Sequence, residues 1–201
     1  MNGQIFIVSG PPGAGKSSLI KLLRSDMPNL AYSVSHTTRP PRPGEIQGRD
    51  YYFITAGQFR RKIAQGEMLE YVEVFGNFYG TSASSLEQTV EAGTDVLLEI
   101  EVKGASRIKE LFPSSVLIFI LPPSPEILER RLIQRGSESE ADIKARLARL
   151  NFELGLLEKY YDFLVVNNDL GQALAELRAI VAAMGARAGR RWPGLRGQWR
   201  V

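Results

Sequence analysis

The run GPPGAGKSS, residues 10–18, fits the spacing G-x-x-x-x-G-K-S through Gly10, Gly15, Lys16 and Ser17. Each residue type has a task there. Glycines let the backbone wrap so that successive amides face phosphate oxygens, and a helix opening at the end of the loop presents its positive pole. Lys16 adds a full charge, and the Ser17 hydroxyl can ligate magnesium. The flanks agree, with apolar IFIVS before the loop and helix-forming LIKLLR after it. Gly10, Pro11, Pro12, Gly13, Ala14, Gly15, Lys16, Ser17 and Ser18 are therefore read as the cradle of a nucleoside triphosphate, with Ser17 on the metal. Two uses of the γ-phosphate stay open at this point: hydrolysis that drives a switch, and transfer to a second substrate. A GTP-hydrolysing switch normally carries an N-K-x-D base-reading motif, which this chain lacks. Transfer needs a second anion site facing the loop.

SVSHTTRPPRPGEIQGRDYYF, residues 33–53, is the candidate for that site. Arg39 and Arg42 present planar forks suited to a phosphate monoester, and Pro40, Pro41 and Pro43 limit the loop's freedom, so less entropy is lost when the anion arrives. Arg49 reads as a solvated surface charge, and His36 is given no catalytic part. With that single histidine and no cysteine in 201 residues, disulfides, thiolate chemistry and histidine-built metal clusters are excluded.

The elements that must position these residues follow from periodicity. Short apolar runs at 5–9, 32–35, 96–100, 116–121 and 163–166 alternate with helical patterns at 16–26, 103–112, 125–135, 141–160 and 170–184. That alternation predicts an α/β fold of three layers around a mostly parallel five-stranded sheet. Between residues 39 and 85 the pattern changes to short β-like pieces at 51–54, 69–75 and 77–80 around one helix near 58–65, which reads as a small inserted α+β lobe. In the helix at 141–160, Ile143, Leu147, Leu150, Leu154, Leu157 and Tyr161 recur at helical spacing and predict a core-facing stripe.

The formal net charge of +3 is misleading as a property of the fold. Five arginines and no acid lie in residues 185–201; without those five the chain holds 20 basic and 22 acidic residues, a net of −2. The expected state of that tail, which also holds Trp192 and Trp199, is a flexible, solvated or loosely docked extension, the rival being a tether to an anionic partner such as RNA. The amino terminus has no basic segment before a short apolar run, so neither export nor membrane insertion is expected, and a cytoplasmic protein is.

The spacing of Thr37, Thr38, Arg39, Arg42, Glu45, Gly48, Tyr51 and Phe53 resembles the signature of guanylate kinases. With GPPGAGKS, EMLEYVEVFGNFYGTS and RRLIQRGSESE in the same order, the likeness runs over residues 4–184. It implies a P-loop nucleoside monophosphate kinase of purine metabolism that uses magnesium and ATP to phosphorylate GMP, and dGMP with it. The implied division is a core of residues 1–35 and 85–184, a GMP-binding lobe of 36–84, a lid of about 131–146 within the core span, and the basic tail at 185–201. No nucleic acid is required as a partner, and monomer and homo-oligomer are not distinguished.

By the same resemblance Arg39, Arg42, Glu45, Tyr51 and Tyr79 belong to the acceptor phosphate and its surroundings, and Thr81 touches the base. Base choice can also be argued from donors and acceptors. Guanine offers N1–H and N2–H on one edge and O6 beside them, so a carboxylate at Glu70 takes both donors while the Ser35 hydroxyl serves O6. Phosphoryl transfer itself needs alignment and positive charge. Lys16 and magnesium supply part of that charge, and Arg39 is counted with the catalytic residues. Arg131 and Arg135, one turn apart, and Arg146 resemble lid arginines. Glu99 and Glu101 could hold magnesium waters or meet the guanine amino group. The text LEIEVKG departs from the family, with Glu101 in place of aspartate and Lys103 in place of glutamine, and VVNND departs near the donor adenine, where Asn168 is the expected contact. Two rival readings remain, a non-catalytic guanylate-kinase-like scaffold module and a kinase for another small phosphorylated acceptor. Lys16 and Ser17, which scaffold modules characteristically lose, are both present.

Overall fold

A computed structural model describes residues 3–74, 76–135 and 140–198 of the chain. The elements run β1 (Ile5–Ser9), α1 (Lys16–Asp26), β2 (Ala31–Ser33), β3 (His36–Thr37), β4 (Tyr52–Phe53), α2 (Ala56–Ala64), β5 (Met68–Val74), β6 (Asn77–Ser82) and α3 (Ala83–Glu91). They continue β7 (Val96–Glu99), α4 (Val102–Leu111), β8 (Val116–Leu121), α5 (Pro125–Arg135), α6 (Glu140–Leu154), α7 (Leu157–Tyr160), β9 (Phe163–Val166), α8 (Leu170–Ala186) and α9 (Ala188–Leu195).

Every residue of β1 is buried, the mark of a central strand covered on both faces. Because successive side chains of a strand point to opposite faces, Phe6 and Val8 pack with Leu19 and Leu23 of α1 and Leu177 and Val181 of α8, while Ile5 and Ile7 pack with Leu86 of α3 and Ala105 and Ile108 of α4. The result is three layers around one sheet in the order β2-β7-β1-β8-β9, with all four pairings parallel. The order diverges at β1, so the carboxyl ends of β1 and β7 open into the crevice where such sheets bind ligands. A second sheet, β4-β3-β6-β5, is mixed: β3 and β4 run parallel, and the β3–β6 and β5–β6 pairs are antiparallel. Its helix α2 opens on a reciprocal capping box in which the Thr55 side chain and the Gln58 side chain each accept from the other's backbone.

Three expectations shift. The strand expected at 32–35 ends at Ser33, because the Ser35 carbonyl accepts the Tyr52 N–H at 2.8 Å and the following residues pair with the second sheet. The helix expected at 141–160 breaks after Leu154 at Gly155, a poor helix former, into α6 and α7. The apolar stripe divides with it: Ile143 and Leu150 pack against Leu128 and Leu132 of α5, while Tyr161 stands edge-on to Phe119 in the main core. The basic tail is not a bare extension. Residues 188–195 form α9, and the Arg190 guanidinium is ion-paired with Asp95 just before β7.

Candidate active site

The phosphate loop leaves β1 at Gly10 and closes at Gly15, both at positive φ (142° and 89°). Both are also held by contact: a Cβ at Gly10 would stand 2.2 Å from the Ile120 carbonyl oxygen, and one at Gly15 would stand 2.2 Å from Asn167 Nδ2. Helix α1 starts directly after Gly15 with no side-chain cap and no acid in its first turn, so its positive pole faces the loop. Lys16 Nζ donates to the carbonyls of Gly10 (2.7 Å) and Pro11 (3.1 Å), folding back across the loop. The Ser17 hydroxyl donates to the carboxylate of Glu99 at 3.1 Å, which leaves its lone pairs for a cation.

Opposite this loop stands the arginine loop. Glu45 holds Arg39 through a two-pronged pair (3.0 and 2.9 Å) and also accepts the Arg42 N–H at 2.6 Å. Burial works against the charge on Arg39, but Glu45 more than offsets it and the guanidinium is held above its ordinary value. Burial likewise pushes the Glu45 carboxyl up, and the Arg39 and Arg42 donors pull it lower than it starts. The Arg39 guanidinium lies 5.5 Å from the ring centre of Tyr51, whose ring meets that of Tyr79 edge-on. Burial first, and then the charge of Glu99, raise the Tyr51 phenol, so it remains a neutral donor.

Glu70 of β5 is directly paired with Thr81 of β6. Only 4% of Glu70 is exposed, and the Thr81 hydroxyl donates to its Oε1 at 2.7 Å. Burial, assisted by the charge of Glu101, pushes its carboxyl up to about 7 against the pull of the Thr81 hydrogen bonds. On its other side Gly104 of α4 makes room, since a Cβ there would lie 2.3 Å from Glu70 Oε2.

These parts line one cavity of about 490 Å³, within the usual range for small-molecule sites. Lys16, Ser17, Arg131 and Arg146 line one part of it from the five-stranded body. Arg39, Arg42, Tyr51 and Tyr79 line it from the second sheet, and Ser35, Glu70, Glu99 and Glu101 complete its polar wall. Five cations stand on that lining, Lys16, Arg39, Arg42, Arg131 and Arg146, against the carboxyls of Glu70, Glu99 and Glu101, so the cavity favours anions.

Several expected contacts sit elsewhere. Thr81 is fully buried and turned onto Glu70, and Glu45 lies behind Arg39; neither lines the cavity. Asn168 does not line it either, whereas its neighbour Asn167 sends Nδ2 to the Ala14 carbonyl at 2.7 Å. The side chain of Arg135 lies outside the described residues. Val72, Val74, Asn77 and Ile100 join the lining without having been expected. The alternation of β5 carried a signal for Val72 and Val74, which lie on the same strand face as Glu70. Asn167 also had one, an asparagine at the carboxyl end of a parallel strand.

A family model described as guanylate kinase matches residues 2–184. Among similar proteins, a guanylate kinase of Shewanella frigidimarina is 51% identical over 180 residues, covering 89% of this chain and 86% of that one. Another, from Dechloromonas aromatica, is 46% identical over 185 residues, covering 92% and 91%. The crystal structure of guanylate kinase from Anaplasma phagocytophilum matches with a TM-score of 0.78 at 36% identity, over 94% of this chain and 89% of that one. With a family match over nearly its whole length and relatives at about half identity across the same span, the chain belongs to the guanylate kinase family.

Proposed function

We propose that the chain catalyses magnesium-dependent transfer of the ATP γ-phosphoryl group to GMP, and to dGMP, giving ADP and the nucleoside diphosphate. The observation that carries this reading is the meeting of a phosphate loop and a braced arginine pair on one cavity whose wall holds a buried carboxyl at Glu70. The loop amides and Lys16 take the donor phosphates, and Arg39 and Arg42, with the Tyr51 and Tyr79 phenols, take the acceptor phosphate. Glu70 accepts from guanine N1–H and N2–H while Ser35 meets O6. Adenine would turn a bare acceptor toward the same carboxylate. Arg131 and Arg146, on the lining of the same cavity, would bring positive charge to the equatorial oxygens of the transferred group and so lower the barrier.

Ser17, with Glu99 behind it, forms an all-oxygen donor set that suits a hard cation keeping several of its waters. Among the described residues no group of three or more His, Cys, Asp or Glu could hold a metal ion by itself, so the phosphates of the nucleotide would complete the donor set. Magnesium held there supplies charge neutralisation on the donor phosphates. No helix among the described residues is long and apolar enough to cross a membrane. The role proposed is in purine nucleotide metabolism, in the cytoplasm.

The test is a coupled assay with ATP against GMP, dGMP, AMP, UMP and a ribose phosphate. GMP and dGMP are expected to be consumed, with AMP disfavoured by about 10⁴-fold, as for sites built to hydrogen-bond one partner. Absence of magnesium-dependent GDP formation overturns the reading.

A further inference from the structure

Tyr51 leads into β4, a strand with one free edge, and a single side chain closes that edge. The Tyr52 N–H donates to the Ser35 carbonyl at 2.8 Å and the Ile54 N–H to the Thr37 carbonyl at 2.9 Å, both toward β3. Alternate amides of a strand point to opposite edges, so the Phe53 N–H between them faces away from β3. Among the described residues no strand lies beyond β4 in that sheet to receive it. The Gln47 side chain does so instead, its Oε1 accepting the Phe53 N–H at 2.7 Å. The main chain of the same residue forms a parallel bridge with Tyr51, and the Gly48 N–H donates to the Tyr51 carbonyl at 2.8 Å. Asp50 closes the turn that brings Gln47 there: its Oδ2 accepts the Ile46 N–H at 2.8 Å, and its own N–H donates to the Ile46 carbonyl at 3.0 Å.

What this clasp holds lies one step nearer the ligand. The Tyr51 and Phe53 ring centres are 5.8 Å apart, and the Arg39 guanidinium stands 5.5 Å from the first and 5.8 Å from the second. Residues two apart on extended chain share a face, so a shift of this short backbone segment carries both rings with it. Arg39 and Tyr51 line the cavity, whereas Gln47 is exposed and does not. We infer that Gln47 is a positioning residue for the acceptor phosphate: it takes the place of a neighbouring strand at β4 and so fixes the two rings against which Arg39 is set. Glu45 holds the same guanidinium by direct pairing, and Gln47 acts on it only through the aromatic pair. This inference rests on the phosphoryl-transfer reading of the site.

A pair of variants tests it. Gln47→Met keeps the length of the side chain but puts a thioether, a weak acceptor, where the amide was, and Gln47→Glu keeps an acceptor oxygen at the same reach. The methionine variant is expected to raise the KM for GMP by about threefold to tenfold, the span that one net hydrogen bond covers. Its ATP KM and kcat should stay within about twofold of wild type, as for a distant independent site. The glutamate variant should recover most of the loss at physiological ionic strength, where its added exposed charge is screened. A plain loss of stability would lower Tm and treat the two nucleotides alike, so the split between them and the rescue by glutamate are the readouts. An unchanged GMP KM in the methionine variant overturns the inference, as does an equal rise for both nucleotides or a glutamate variant as impaired as the methionine one. Gln47→Ala carries the test should the methionine variant not fold. If the wild type forms no GDP, the proposed function falls, and calorimetric titration of GMP into wild type and the methionine variant still reads the clasp by itself: a weaker Kd in the variant supports it, and equal values overturn it.

Discussion

In the proposed reaction Glu70 is the residue that reads the base, and its proton would set a pH dependence. Folding moves its carboxyl from an ordinary 4.5 to about 7, so the empty fold holds that proton more tightly than the unfolded chain does. The group therefore favours the folded state below pH 4.5, and its contribution is lost as pH rises through about 7. Relative to wild type, Glu70→Gln should gain thermal stability between about pH 5 and pH 8, read from paired melting curves. Guanine needs the ionised form, so the GMP KM should climb as pH falls below about 7, and the Gln variant, with a KM already raised about a hundredfold or more, should lose that slope. The acceptor phosphate titrates near pH 6 on its own account, so the difference between the two profiles is the measurement. Glu45→Ala should raise the GMP KM about tenfold while leaving the ATP KM unchanged, because it frees Arg39 without touching the phosphate loop; an equal rise for both nucleotides would count against it. Lys16, Ser17, Arg39 and Glu70 were legible because their neighbours in sequence carry the same motif. Glu45 and Thr81 were legible as participants but not as supports, since what they touch is decided by loop closure and by strand register.

Helix α4 illustrates how an element can serve the site through what it omits. At Gly104 an alanine would improve intrinsic helix stability by about 1 kcal/mol, yet its Cβ would press on the Glu70 carboxylate. Gly104→Ala is expected to give no gain in Tm and a raised GMP KM; a stabilised enzyme with unchanged KM would show that Glu70 has room to move. Nothing in the sequence around this glycine announced that role, because the contact spans from residue 70 to residue 104. Strands β1 and β8 were readable from uninterrupted apolar runs, which burial on both faces explains. Helix α3 was missed: two buried positions, Leu86 and Val90, give a single turn's worth of periodicity, and its N-cap Ser82 makes no capping hydrogen bond from its side chain. The two-residue strands β3 and β4 were blurred for a similar reason, since pairing partners rather than local propensity define them.

Across the whole molecule, two sheets contribute to one cavity, and each carries cations on its side of the lining for anions to bridge. Binding both nucleotides is therefore expected to draw the second sheet and the α5–α6 pair inward, which small-angle scattering would register as a smaller radius of gyration. An unchanged radius counts against closure. The terminal helix α9 has no buried residue and is tied down chiefly through Arg190. Asp95→Asn should lower Tm by a few degrees and leave turnover intact, because the pair stands at the strand-entry pole of the sheet, away from the phosphate loop. That carboxylate also receives the backbone N–H of Gln4 at 2.7 Å, so the beginning and the end of the described chain are fastened to the same acid. One carboxylate thus couples the first strand to the terminal helix, so loosening either should speed amide exchange in the other.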